Sequence, residues 1–294
     1  MRPPCATASN QDDRRSTAVR RRSVAVGAPR NGPAQQERER TMTGRLEGKV
    51  GIVTGASSGI GRAAAVALAR EGAKIVAAGR RAAELEATVQ AAAKAGGQAL
   101  ACAADVTKES DVRALVDFTL ERFGRLDIGF NAAGGTFGGA LTHQLEERDF
   151  RDWLDGYLVS AFLSTKHQIS AMLRSGGGSV INVGTFVGYT KALPGTAGYA
   201  AAKTGLIGLT RTAAAEYATQ GVRANVLIVG GVDTPMFRLW NDTDDKRGAA
   251  AQLHAMKRIA APDEIAGAAI FLASEEASFI TGSAFAVEGG VSLT

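Results

Sequence analysis

Tyr199 and Lys203 stand four residues apart in the run Tyr-Ala-Ala-Ala-Lys. On a helix this spacing puts the phenol and the ammonium on one face, one turn from each other. A free tyrosine, with a pKa of about 10, exchanges protons poorly near neutrality. A lysine cation held within roughly 4–6 Å favours the phenolate and lowers that value. The pair handles protons wherever a reacting oxygen can reach it. Elsewhere it is a buried ring and a solvated charge that share a helix by chance, so the rest of the chain has to decide.

Upstream, Thr54-Gly55-Ala56-Ser57-Ser58-Gly59-Ile60-Gly61 lies between an apolar strand pattern and a helical one. Gly55 permits a tight turn, Gly59 lets backbone approach a pyrophosphate, and Gly61 allows close helix–strand packing. A helix starting there offers free N–H groups and the positive end of its dipole to phosphate. The second strand pattern ends in Gly79-Arg80-Arg81, with no carboxylate to accept ribose hydroxyls. A guanidinium there can clamp a 2′-phosphate, and charge-assisted contacts of about 1.5–3 kcal/mol give a roughly ten- to hundredfold preference for NADP(H) over NAD(H). The plainer alternative is that both arginines are solvated charges at a helix start.

Strand and helix patterns alternate along the whole body. Strands are expected at Lys49–Thr54, Lys74–Ala78, Gln98–Ala103, Leu126–Asn131, Ser179–Val183, Val222–Val229 and Ser283–Val287. Between them fall helices at Gly59–Glu71, Ala82–Ala95, Lys108–Phe123, a long one at Glu146–Leu173, one from about Tyr199 to Ala218, and one at Pro262–Ala273. Helical spans of this length imply right-handed crossovers and an α/β fold, doubly wound, with a mainly parallel seven-stranded sheet covered on both faces.

The glycine spacing, taken with Tyr199-x-x-x-Lys203, closely resembles the short-chain dehydrogenase/reductase family, over essentially all of residues 46–294. Asp105-Val106, Asn131-Ala132-Ala133-Gly134, Val229-Gly230-Gly231-Val232-Asp233-Thr234, Pro262-Asp263-Glu264-Ile265-Ala266, Thr281-Gly282 and Glu288-Gly289-Gly290 extend the match. The resemblance implies a three-layer Rossmann fold and a nicotinamide cofactor bound at the carboxyl ends of the strands. It implies that Gly55, Ser57, Ser58, Gly59, Ile60 and Gly61 line the phosphates and that Asp105 and Val106 touch the adenine. Asn131, Ala132, Ala133 and Gly134 would lie along the cofactor, and Val229, Gly230, Val232 and Thr234 would hold the carboxamide. Hydride would pass between nicotinamide and a carbonyl or secondary alcohol, with Tyr199 exchanging the proton, Lys203 lowering its pKa and holding the ribose, and Thr185 orienting the oxygen.

Three positions depart from the family pattern. Thr185, fourteen residues before Tyr199, stands for the usual serine; its methyl stiffens the rotamer while the hydroxyl remains. Tyr157 falls where the family places an asparagine that holds a water beside the lysine; it has no assigned catalytic role, and a core aromatic is the commoner fate of such a residue. Ala132 and Val229 replace a second asparagine and a proline.

The first 44 residues differ in character. They hold nine arginines against four acids, whereas the remaining 250 carry 25 basic and 25 acidic side chains. The pI near 9.4 thus belongs to this stretch, and the body shows no charge bias toward nucleic acid or membrane. Lacking apolar periodicity, the stretch reads as a disordered extension, 1–44, ahead of a single domain, 45–294. The biological start is expected at Met42, whose downstream residues run directly into the first strand. No apolar run approaches the roughly 18 residues that span a bilayer. Cys5 and Cys102 form no framework, and His143, His167 and His254 are scattered singly, so no metal site is expected and a reducing, cytoplasmic setting is the default.

Asp233–Met256 is expected to form a substrate lid, with Phe237, Leu239, Trp240 and His254 as lining and an exposed, mobile centre at Asn241–Arg247. By resemblance, the Glu146–Leu173 and Tyr199 helices form the interface of a homodimer or homotetramer. Two other functional readings stand beside a carbonyl reductase or alcohol dehydrogenase. One is a 3-oxoacyl carrier-protein reductase, and the other is a nucleotide-sensing module that has lost turnover.

Overall fold

The computed structural model describes residues 44–135 and 139–294. The expected disordered extension and the start at Met42 fall on residues outside that set. Seven strands are described: β1 Val50–Thr54, β2 Lys74–Gly79, β3 Gln98–Ala103, β4 Ile128–Asn131, β5 Gly178–Thr185, β6 Val222–Val229 and β7 Ala284–Val287. They form one sheet in the order β3-β2-β1-β4-β5-β6-β7, with every neighbouring pair parallel. The chain reverses its direction of travel across the sheet between β1 and β4, which leaves a crevice at the carboxyl ends of those strands.

Nine helices cover the sheet among the described residues: α1 Gly59–Arg70, α2 Ala82–Lys94, α3 Glu109–Phe123, α4 Glu147–Leu154, α5 Ser160–Ser175, α6 Ala197–Tyr217, α7 Pro235–Trp240, α8 Asp244–Gln252 and α9 Pro262–Ala273. Leu68 of α1, Leu85 of α2 and Ile265 of α9 pack with Val53 and Ile75 on one face. Leu115 of α3, Met172 of α5 and Ala213 of α6 pack with Ile52, Val76 and Val180 on the other. Every residue of β1 and β4 is buried, as expected of strands covered from both sides. No helix among the described residues is long and apolar enough to cross a membrane.

One expectation is corrected here. The helix expected over Glu146–Leu173 is continuous but not uniform: Asp155–Val159 forms a π-turn between α4 and α5. A π-turn accommodates one extra residue in the helix and is common near functional sites. Within the stretch expected as a lid, the structure holds α7 and α8. Thr234 caps α7 by accepting from Phe237 N, Pro235 opens its first turn, and Thr243 caps α8 by accepting from Lys246 N. The Asn241–Arg247 stretch is largely exposed, yet its second half is the first turn of α8, and Lys246–Asp242 (2.8 Å) and Arg247–Asp244 (2.5 Å) are paired.

A buried amide chain joins the central strands to the helices behind them. Asn131 Nδ2 donates to Gln168 Oε1 and Asn182 Oδ1, each at 3.0 Å, and Asn182 Nδ2 donates to Thr210 Oγ1 at 2.9 Å. Each amide is satisfied, so the network fixes β4, β5, α5 and α6 relative to one another rather than costing the core an unmet polar group.

Candidate active site

The crevice at the carboxyl ends of the strands opens into a cleft of about 480 Å³. Its walls include Gly55, Ser57, Ser58, Gly59, Ile60 and Gly61 at one end and Tyr199 and Lys203 at the other. Arg80, Arg81, Asp105, Val106, Ala132, Ala133, Gly134, Val229 and Thr234 complete the expected set that reaches it. A depression of about 570 Å³ lies at the opposite, amino-terminal edge of the sheet, among Lys49, Arg125, Asp127 and Arg223. Its charged side chains are engaged within the protein: Arg125 pairs with Asp127 at 2.6 Å, Lys49 with Glu275 at 3.1 Å, and Arg223 donates to Leu272 O at 2.7 Å. Parallel sheets bind ligands at the other edge, and the tyrosine and lysine are there.

The glycines let the loop pack tightly against its own backbone and the end of β4. Gly55 has φ +70°, and a Cβ on it would lie 2.7 Å from Ala132 O; one on Gly61 would lie 2.3 Å from Gly55 O. Ser58 begins α1 without a side-chain cap, and no acid lies in the first turn. The helix end is therefore suited to a phosphate, and these residues fit a dinucleotide. Arg81 Nη2 donates to Ser57 Oγ at 2.9 Å and to Ser58 Oγ at 3.0 Å, so it braces the loop. Arg80 acts on Asp105 instead. Burial opposes ionisation there, but the hydrogen bonds from Thr107 and the charges of Arg80 and Lys108 hold that carboxyl below its ordinary value.

At the chemical end, α6 carries Tyr199 and Lys203 side by side, both buried. Lys203 Nζ donates to Val183 O at 2.6 Å and lies 4.5 Å from the centroid of the Tyr157 ring. Burial pushes Tyr199 up to about 12, with a hydrogen bond from Thr185 pulling the other way. Burial pushes Lys203 down to about 7. The Tyr199 pKa thus stands above its ordinary value rather than below it as expected, because burial disfavours the phenolate. Thr185 Oγ1 also accepts from Val187 N at 3.3 Å, which fixes its hydroxyl beside the phenol.

Several expected residues sit elsewhere. The side chain of Asn131 belongs to the buried amide chain and does not reach the cleft. Val232 is in the core, and Gly230 packs behind the loop against Glu288 and His254. Leu239 is 62 % exposed, and Phe237 lines a shallow pocket with Arg238 and Ile259. His254 is no lid wall. It is buried, accepts from Gly231 N at 2.8 Å and hydrogen-bonds Ala250 O at 2.9 Å, locking the loop after β6 onto α8.

Tyr157 is the residue whose importance was least visible. Its hydroxyl donates to Gly135 O at 2.5 Å and lies 3.2 Å from Met236 Sδ. Its ring fills the space above Gly134, where a Cβ would come within 2.2 Å of it. Burial and the neighbouring Tyr199 push its phenol far above the ordinary range, so it stays neutral. Trp153, one turn earlier, stacks on it at 5.7 Å; the Trp-x-x-x-Tyr spacing was the available signal. Between Tyr157 and Lys203 lies a cavity of about 10 Å³, lined also by Thr54, Asn131, Ser160 and Ser164. Polar and of this size, it is the volume of one water. No group of three or more His, Cys, Asp or Glu residues able to hold a metal occurs among the described residues.

The chain is similar in sequence and fold to known proteins. A family model described as enoyl-(acyl carrier protein) reductase matches residues 55–292. A cyclohexanol dehydrogenase of Acinetobacter sp. (strain SE19) is 34 % identical over 251 residues, covering 85 % of this chain and 98 % of that protein. Among solved structures, levodione reductase matches with a TM-score of 0.81 at 35 % identity, covering 85 % of this chain and 99 % of that one. A 7α-hydroxysteroid dehydrogenase complexed with NADH and 7-oxo glycochenodeoxycholic acid matches with a TM-score of 0.79 at 30 % identity, covering 84 % of this chain and 95 % of that one.

Proposed function

Because the chain belongs to the short-chain dehydrogenase/reductase family, oxidoreductases that act on alcohols and ketones with NAD(P), we propose that it is an NADP(H)-dependent carbonyl reductase or alcohol dehydrogenase in which Tyr199 exchanges the substrate proton. The observation that carries this reading is the placement of Tyr199 and Lys203 in the wall of the same cleft whose far end is the glycine loop.

A bound nicotinamide supplies or accepts the hydride. The chain's own groups position the oxygen and handle the proton. Thr185, held by Val187 N, orients the substrate oxygen toward Tyr199. Tyr199, kept protonated by burial, donates to the alkoxide as it forms. Lys203, fixed between Val183 O and the Tyr157 ring, stabilises the phenolate left behind. The pocket excludes bulk water from all three.

Preference for NADP(H) rests on the end of β2. Gly79 puts no carboxylate at the end of β2 itself, and with Arg81 bracing the serines, Arg80 is the guanidinium to which we assign the 2′-phosphate. Relatives named for cyclohexanol and levodione support a small alcohol or ketone as substrate. NADPH oxidation measured against ketones and 3-oxoacyl thioesters tests the reading. Cofactor binding with no turnover of any carbonyl, or turnover confined to 3-oxoacyl thioesters, overturns it.

A further inference from the structure

One short stretch of chain walls the cleft along its middle. Val229, at the end of β6, and Thr234, Pro235 and Met236, at the start of α7, all reach the cleft, whereas residues 230–233 between them do not. Thr234 abuts the glycine loop, its Cγ2 standing 3.0 Å from where a Cβ on Gly59 would lie. Met236 Sδ, at the chemical end, is 3.2 Å from the Tyr157 hydroxyl. Whatever fixes the path of residues 230–233 therefore sets the shape of the cleft at both ends.

Backbone ties hold part of that path. Gly230 N donates to Val287 O at 3.2 Å, Asp233 N to Ala260 O at 2.9 Å, and Ala260 N to Gly231 O at 2.9 Å. A further tie is a side chain: Gly231 N donates to His254 Nε2 at 2.8 Å. The two partners of this ring fix its protonation. A backbone N–H only donates, so Nε2 presents its lone pair. Ala250 O, 2.9 Å from Nδ1, only accepts, so Nδ1 carries the hydrogen. The ring is neutral, and a second proton on Nε2 would set N–H against N–H and end the contact with Gly231.

Backbone and one aromatic ring enclose the imidazole, which lies outside the cleft. A Cβ on Gly230, Gly231 or Gly289 would lie 2.8, 3.1 or 3.3 Å from its atoms, and Phe186 meets it edge-on at 6.2 Å. Charged groups on the surrounding segments have partners of their own. Asp233 pairs with Arg238 at 2.6 Å, Asp242 with Lys246 at 2.8 Å and Asp244 with Arg247 at 2.5 Å. Glu288 accepts from Ser292 N at 2.9 Å, Lys257 donates to Gln252 O at 2.9 Å, and Lys191, on the loop carrying Phe186, donates to Thr294 O. Asp245 is exposed at the opposite end of α8.

Resting on the reading of the cleft as a nicotinamide-dinucleotide site, we propose that His254 is a positioning residue for the cofactor. As the neutral Nδ1–H tautomer it holds the wall at Val229 and Thr234 in its binding shape, and taking up a proton from solvent releases that wall. Imidazoles charge between about pH 5 and 8. Cofactor affinity thereby depends on pH through a residue that touches neither cofactor nor substrate.

The experiment titrates NADPH by fluorescence into the full chain at about pH 7.5 and about pH 5.5, on either side of the ordinary imidazole midpoint. It compares wild type, His254→Gln and His254→Leu. Glutamine offers Gly231 N an acceptor and never charges, whereas leucine leaves a buried N–H unmet. Wild type should lose about tenfold more affinity on acidification than His254→Gln, a comparison in which titration of the cofactor itself cancels. His254→Leu should bind about five- to thirtyfold more weakly at both pH values. With a ketone that the wild type reduces, KM for NADPH should follow these changes while kcat stays within about twofold. Long-range 15N–1H correlation on the cofactor-free protein should show the Nδ1–H tautomer at neutral pH, in a signal that His254→Gln lacks. The Nε2–H tautomer, or superimposable pH dependences for wild type and His254→Gln, overturns the positioning role even where His254→Leu does not fold. The expected pH behaviour of binding with no carbonyl reduced overturns only the reductase reading; no binding of NADPH or NADH at either pH overturns both.

Discussion

The Lys203 ammonium lies 4.5 Å from the centre of the Tyr157 ring. A desolvated cation over an aromatic face gains about 2 kcal/mol, which here favours the charged lysine against the burial that disfavours it. Tyr157→Leu removes that face. The pH above which kcat/KM declines should then fall by about one unit. Tyr157→Phe keeps the face and should keep the profile. A Tyr157→Leu profile superimposable on the wild type would show that the ring is only packing.

Tyr199 sits at about 12, raised by burial, and so carries its proton throughout the neutral range. Tyr199→Phe removes the donor and keeps the ring contacts with Trp153, Tyr157 and Trp240. Turnover should fall by roughly 10²–10⁴ while NADPH affinity, read by fluorescence titration, stays within about twofold. Near-normal turnover would remove the proton-donor role.

Arg80 and Arg81 are adjacent in sequence but divided in task. Arg81 is engaged with Ser57 and Ser58, and Arg80 stands beside Asp105. Arg80→Ala should raise KM for NADPH by about ten- to a hundredfold and leave KM for NADH within about twofold. Arg81→Ala should loosen the loop and weaken both cofactors alike. Equal losses from Arg80→Ala would dismiss the 2′-phosphate contact.

Lys203 at about 7 in the fold, against 10.5 for the free side chain, couples stability to pH. Between these values the unfolded chain binds the extra proton, so stability rises with pH across that window. Below about 7 the fold bears the full cost of charging a buried amine. Replacement by methionine removes the titration. The difference in thermal midpoint between Lys203→Met and wild type should therefore be largest near pH 6.5 and shrink by pH 9.5, as followed by calorimetry. A pH-independent difference would refute the assignment.

Much of the frame could be read in advance because parallel strands buried on both faces are written as short apolar runs, and the helices between them carry their own period. Gln98–Ala103 and Val222–Val229 appear with the bounds expected. The caps of α7 and α8 are also written, in Thr234-Pro235 and Thr243, within the stretch expected as a lid. Other features have no local signature. His254 meets Gly231 across 23 residues, and the Asn131 amide is turned from the cleft by Gln168, 37 residues away. The protonation of Tyr199 depends on how much water the aromatic walls exclude, which residue spacing alone does not carry.

The π-turn at Asp155–Val159 has a consequence for the rod it interrupts. One added residue rotates everything after it by roughly 100° about the axis, since an α-helix takes 3.6 residues per turn. Trp153, before the turn, and Tyr157, within it, look inward onto Tyr199, while Phe162, beyond it and at 45 % exposure, looks out. Shortening this turn by a single residue would turn the face that α5 presents relative to α4, so Trp153 and the residues of α5 could no longer keep their present contacts together.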